Sequence, residues 1–159
     1  MFKMAHMEKE TLLDEIRYAE RLCQRTARLY RHLQTVTVFL SVLGGSGVIS
    51  AVAGSVPAWM PIAGGILLAA FGALNLSVRP ADKATANETD MKRYAQLRTA
   101  AVKMDVDQLR EALEKARESD TQEIESLRDV AYNDVTVEIG RPDAAVPLKM
   151  HQRVLSALA

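Results

Sequence analysis

The sequence predicts an all-α membrane protein, a two-span transmembrane helical hairpin with long cytoplasmic helices and both termini cytoplasmic. Three observations point there. Residues 33–78 contain no Asp, Glu, Lys, Arg or His. A Gly-Ser-Val-Pro-Ala-Trp-Met-Pro patch, Gly54 to Pro61, divides that run in two. Lys and Arg flank the run on both sides, and none lies in the dividing patch.

A bilayer crossing takes about 20 mostly apolar residues. The uncharged run is too long for one crossing and fits two, at about 33–55 and 61–78. The competing reading is a hairpin buried in a soluble bundle. A soluble core helix usually carries charge on the face that meets water, and neither half carries any. Because Lys and Arg stay preferentially on the cytoplasmic side, both ends are expected inside and the turn outside, in a multi-pass inner-membrane topology. Trp59 in the turn and Tyr30 before the first span suit the two interfaces.

The domain plan follows from the same segregation: residues 1–32 an amphipathic cytoplasmic helix, 33–78 the hairpin, 79–139 cytoplasmic helices with a coiled-coil-like seam, and 140–159 a tail with a short helix. The N-terminus is charged and amphipathic rather than signal-like, so the first apolar stretch is expected to act as an uncleaved anchor.

In the first helix Leu12, Ile16, Ala19, Leu22, Cys23, Thr26, Leu29, Tyr30 and Leu33 recur at helical spacing. Arg17, Arg21, Arg25, Arg28 and Arg31 form a second stripe. One reading is a solvated face paired with acidic neighbours. The other places Arg25, Arg28 and Arg31, which lack local acidic neighbours, at lipid phosphates, with Arg79 and Lys83 after the second span. No proline interrupts before the first span, so the helix can continue into it.

The spans are rich in small residues. Ser41, Gly44, Gly45, Gly47 and Ala51 line the first, and Gly65, Ala69 and Ala73 the second. In lipid, helices associate through close packing that small residues permit. These positions serve packing within the hairpin, packing between copies, or the lining of a pore that one hairpin alone cannot enclose. Asn75 lies either near the headgroups or at a helix interface or pore mouth.

Arg79-Pro80 is expected to end the second span, since proline cannot continue the ladder. A short polar joint should follow, then a helix from about Thr85 to Arg117. Tyr94, Leu97, Val102, Val106, Leu109 and Leu113 supply its seam, with one irregularity, as a surface for oligomer or partner. Ser119-Asp120 with Glu123 reads as a capping box opening a third helix through Ile124, Leu127, Ala131 and Val135. Gly140, Pro142 and Pro147 break it, and a last short helix carries Leu148, Val154, Leu155 and Leu158 on its apolar side.

An arginine-rich helix ending RTARLYRHL, a Pro-containing turn, a second span ending LNLSVRPADKA and a following helix with RYAQLRTAAVKM together resemble the SLATT family. These are two-transmembrane effectors associated with SMODS and SLOG components in prokaryotic conflict systems. The resemblance covers roughly residues 15–113. It implies a homo-oligomeric effector or ion-channel-like protein that disrupts membrane integrity in antiphage (antiviral) defence. It also implies a trigger, supplied either by a sensor or nucleotide-signalling protein as partner or by the cytoplasmic helices themselves.

Residue chemistry points away from catalysis. His6, His32 and His151 are scattered and share no metal-ligand spacing with Cys23, so no metal or other cofactor is expected. The GGSG at Gly44 lies within a span and lacks the Lys of a phosphate loop. Formal net charge is +0, which gives no reason to expect nucleic acid. Two other classes remain open beside the effector: a membrane-anchored helical adaptor or scaffold, and a phage holin-like or superinfection-exclusion protein.

Overall fold

The structure is a computed structural model. It describes the backbone of residues 2–52, 54, 57 and 59–159, and the side chains of 6–46, 54, 57 and 59–159. Among the described residues all regular structure is helical. Six α-helices follow in order among the described residues: α1 Phe2–Val52, α2 Trp59–Val78, α3 Pro80–Ala100, α4 Val106–Glu118, α5 Arg128–Glu138 and α6 Met150–Leu158. The chain forms two compact units, Met1–Leu29 with Ala84–Ala159, and Tyr30–Lys83.

The first unit is built on the apolar stripe of α1. Leu12, Ile16, Ala19 and Cys23, spaced by three or four residues, share a buried cluster with Tyr94, Leu97 and Ala101 of α3 and the turn after it. Leu109, Leu113 and Ala116 of α4 complete it. Leu22, on the adjoining face of α1, enters a second cluster with Leu127, Val130, Ala131 and Ala159.

Three expectations about helix boundaries need correction. The helix expected over 85–117 is two helices. α3 ends at Ala100, a 3₁₀ turn covers Ala101–Lys103, and α4 starts at Val106. The cause is a capping box: the Asp105 carboxylate accepts from the Gln108 backbone N–H at 2.8 Å, and Gln108 Oε1 accepts from the Asp105 N–H at 3.2 Å. The irregularity in the apolar stripe is therefore a chain turn. Ser119, expected to open a helix, closes α4, and α5 begins only at Arg128. The polar joint after Pro80 is absent too. Arg79 takes a left-handed conformation (φ 49°) and Pro80 opens α3 directly, a position where its missing N–H has no role to lose.

α5 stops as Gly140 and its neighbours predict. Gly140 (φ 76°) donates to Val137 O at 3.1 Å and Arg141 donates to Thr136 O at 2.7 Å, the paired bonds of a Schellman end. Asn133 then holds the following loop, with Nδ2 donating to Val146 O at 2.8 Å and Oδ1 accepting from Val146 N–H at 2.7 Å.

The second unit contains the later part of α1, all of α2 and the first residues of α3. No proline occurs before residue 57, which is why α1 runs unbroken from the charged stretch into the apolar one. The helical stretch from Trp59 includes an 18-residue window long and apolar enough to cross a membrane, and 6% of that window is buried. It is the one such helix among the described residues.

Candidate functional site

The candidate site is the apolar hairpin of α1 and α2, and one glycine organises it. A Cβ placed on Gly44 would lie 2.6 Å from the Gly64 carbonyl oxygen and 2.8 Å from the Leu68 nitrogen. No side chain fits there, so backbone packs on backbone. Gly64 is the buried residue of α2. The small-residue spacing marks Gly44 in α1 and Gly65, Ala69 and Ala73 in α2, with Gly64 and Gly72 nearby, but spacing alone does not fix which side of a helix meets its neighbour.

The other small residues are not consumed by that contact. Gly45, Gly65 and Gly72 have nothing within 4 Å of a would-be Cβ, and Ala69 and Ala73 are exposed. Ser41 is half-buried and its hydroxyl donates to Thr37 O at 2.8 Å, while Thr37 donates in turn to Leu33 O and Gln34 O. Hydroxyls bonded back to their own helix need no water, which suits them to an apolar medium. Asn75 is half-buried, and its backbone carbonyl accepts from the Arg79 backbone N–H at 3.0 Å. Gly47 and Ala51 lie outside the residues whose side chains are described. Around the hairpin Phe39 is 60% exposed, Ile66 64% and Leu76 79%.

The interface candidates separate. Trp59 is exposed at the start of α2, and Arg28, Arg31 and Arg79 are exposed as well. Lys83 Nζ sits 5.5 Å from the centroid of the Tyr30 ring, a cation–π contact. Arg25 is a correction. Its Nε and Nη2 reach the two Asp134 oxygens at 2.8 and 3.0 Å, and Nη1 donates to Ser156 O at 3.2 Å. A guanidinium held by a carboxylate in this two-pronged way is occupied within the first unit, not offered to lipid phosphate. Arg21 likewise pairs with Glu138 at 2.7 Å. Arg17 pairs locally with Asp14 of α1 at 2.7 Å, as a solvated paired face would, whereas the partners of Arg21 and Arg25 come from α5.

The seam is also a correction. Tyr94, Leu109 and Leu113 are fully buried and Leu97 nearly so, all in the protein's own core, and Val106 packs against it. Val102 alone points outward, at 82% exposure. The reason is the turn at 101–105, which folds α4 back so that both stripes meet α1. Tyr94, Leu97, Leu109 and Leu113 therefore offer little surface to a partner while the unit is folded.

A polar network that sequence reading missed lies at the edge of that core. Tyr94 Oη donates to Asp120 Oδ2 at 2.5 Å. Arg93 bridges Asp90 at 2.5 Å and Asp120 at 3.1 Å and also donates to Ser119 Oγ. Thr121 N–H donates to Asp90 Oδ2 at 2.9 Å. The network pins the segment after α4 onto α3. Burial pushes the Tyr94 hydroxyl and the Asp120 carboxyl above their ordinary values. Cys23 is pushed up to about 12, by burial first and then by Asp120, Asp90 and Glu123. A thiol so held is protonated and inert, a packing residue rather than a nucleophile.

No group of three or more His, Cys, Asp or Glu side chains able to hold a metal ion occurs among the described residues. No protein-family model, curated protein or solved structure matches the chain.

Proposed function

We propose that the chain is a two-span inner-membrane protein, both termini cytoplasmic, that assembles from several copies and acts as a channel-like effector of membrane integrity. The single observation that carries the assembly is the hairpin's unused small-residue surface. One close contact at Gly44 and Gly64 joins α1 to α2, and Gly45, Gly65 and Gly72 stay open. Contiguous exposed apolar surface marks contact with lipid or protein, and small residues let helix backbones approach where no water is expelled. A hairpin of two helices encloses nothing, so conduction requires several copies. Lys and Arg at the outer ends of both spans favour the stated orientation. The resemblance to SLATT effectors supports a role in prokaryotic antiphage defence, with a sensor or nucleotide-signalling protein as trigger.

Reconstitution tests this. The purified chain is expected to form an assembly of defined copy number in detergent and to release dye from liposomes. Gly65→Leu should abolish release while leaving the helical content intact. A chain that stays dispersed as a monomer without detergent would sink the proposal, as would an oligomer that leaks under no trigger.

A further inference from the structure

α6 is apolar on two sides, and the first unit uses only one. Leu148, Leu155 and Ala159 pack into the second cluster, and Gln152 Nε2 fixes the helix by donating to Asp129 at 2.7 Å. The opposite side carries Met150, Val154 and Leu158, one turn apart from each other. They are 78%, 59% and 47% exposed. Beside them Lys149, His151 and Arg153 are exposed, and no Asp or Glu follows Asp143. Of the three acids on α5, Asp129 accepts from Gln152, Asp134 pairs with Arg25 and Glu138 with Arg21, while Glu125, in the 3₁₀ turn that packs against α6, is exposed. The result is a stripe of Met, Val and Leu on a segment, 149–159, whose charged side chains are Lys149 and Arg153 with no acid among them.

We infer that the outward face of α6 docks on an anionic lipid surface. A helix that is basic and apolar on the same exposed side matches a negatively charged headgroup layer over acyl chains. A second copy fits poorly. In a two-fold pair the face meets itself, so Lys149 and Arg153 would oppose their own counterparts. This contact is separate from the spans and does not depend on them: it is electrostatic and salt-sensitive, whereas a spanning hairpin resists salt.

The test uses the full chain with an environment-sensitive dye on Val154→Cys, and the unsubstituted protein as the labelling control for Cys23. It is mixed with, or reconstituted in, phosphatidylcholine vesicles with and without phosphatidylglycerol. Emission should shift to shorter wavelength only where phosphatidylglycerol is present, and high salt should reverse the shift. Lys149→Glu with Arg153→Glu should reduce the shifted fraction by about tenfold or more, at roughly 1 kcal/mol per basic residue near such a surface. Equal shifts in both vesicle types, or none in either, overturn the inference. A shift that grows with the protein-to-lipid ratio instead identifies a second copy as the occupant and also overturns it. Failure of the spans to insert is read separately, from whether alkaline carbonate extracts the protein, and leaves the salt-reversible shift as the readout.

Discussion

The Gly44 Cα faces the Gly64 carbonyl so closely that a methyl group on it would come to 2.6 Å of the oxygen. Both atoms that would clash, Gly64 O and Leu68 N, belong to helix backbone, which cannot swing aside as a side chain can. Gly44→Ala should therefore push the helices of the hairpin apart at a cost of about 1–3 kcal/mol. The change appears as a lower melting temperature in detergent. Gly65→Leu meets open space within one chain and should alter copy number instead. Equal melting temperatures for Gly44→Ala and the native chain would show that the close contact does not form.

Leu109 and Leu113 are fully enclosed in the first unit. Replacing either with Ala removes core contacts and leaves a cavity, at about 2–5 kcal/mol. The loss should appear as earlier unfolding in urea. Val102→Asp, at an 82% exposed position, should change stability by less than about 0.5 kcal/mol. The reverse result, stable Leu variants that lose a binding partner, would restore the seam as an external surface.

How far the sequence alone could lead is visible in these residues. Helical periodicity was enough to mark Tyr94, Leu97, Leu109 and Leu113 as one apolar stripe, and they do act together. Whether such a stripe faces another chain or its own is decided by where the chain turns. The turn signal, Asp105 with Gln108, was present but lay inside a charged stretch full of similar residues. The partners of Arg21 and Arg25 were beyond reach for another reason. Glu138 and Asp134 lie more than a hundred residues away, and no local spacing rule connects them. Gly44 was legible because a span rich in glycine has few roles except close packing. Its partner was open between Gly64 and Gly65, because a rotation of 100° per residue changes the face. The two-sided character of α6 was hidden because Leu148, Val154, Leu155 and Leu158 read as one face until Gln152 fixed the rotation.

Arg25 and Asp134 are mostly shielded, with side chains 20% and 24% exposed. A two-pronged pair in that setting exceeds a surface ion pair, and Arg25→Ala should cost about 2 kcal/mol. A double-mutant cycle with Asp134→Asn separates the pair from the packing each side chain contributes. The loss should be the same in neutral and anionic lipid. Dependence on anionic lipid would return Arg25 to the headgroups.

Alkali should unfold the first unit through Cys23 and Tyr94. Burial, followed by Asp120, Asp90 and Glu123, raises the Cys23 thiol from 9.0 to about 12, so the native state holds a proton that the unfolded chain releases. Stability from this group is complete below pH 9.0 and declines as pH rises toward about 12. The total is at most roughly 4 kcal/mol. Tyr94, raised from 10.0 by burial and then by its hydrogen bond to Asp120, adds to the decline above pH 10.0. Asp120 acts at the other end. Burial raises it from 3.8 against the opposing pull of Tyr94 and Arg93, so its charged form costs stability at neutral pH. That cost is relieved as pH falls through the raised value toward 3.8. Urea titrations across pH should show a midpoint that drops on the alkaline side. Cys23→Ala should flatten the drop from its onset, and Tyr94→Phe only its later part. A thiol reagent should modify native Cys23 far more slowly than the unfolded chain at neutral pH. Equal rates would mean that the thiol is not sealed in the core, and the alkaline argument would fall with it.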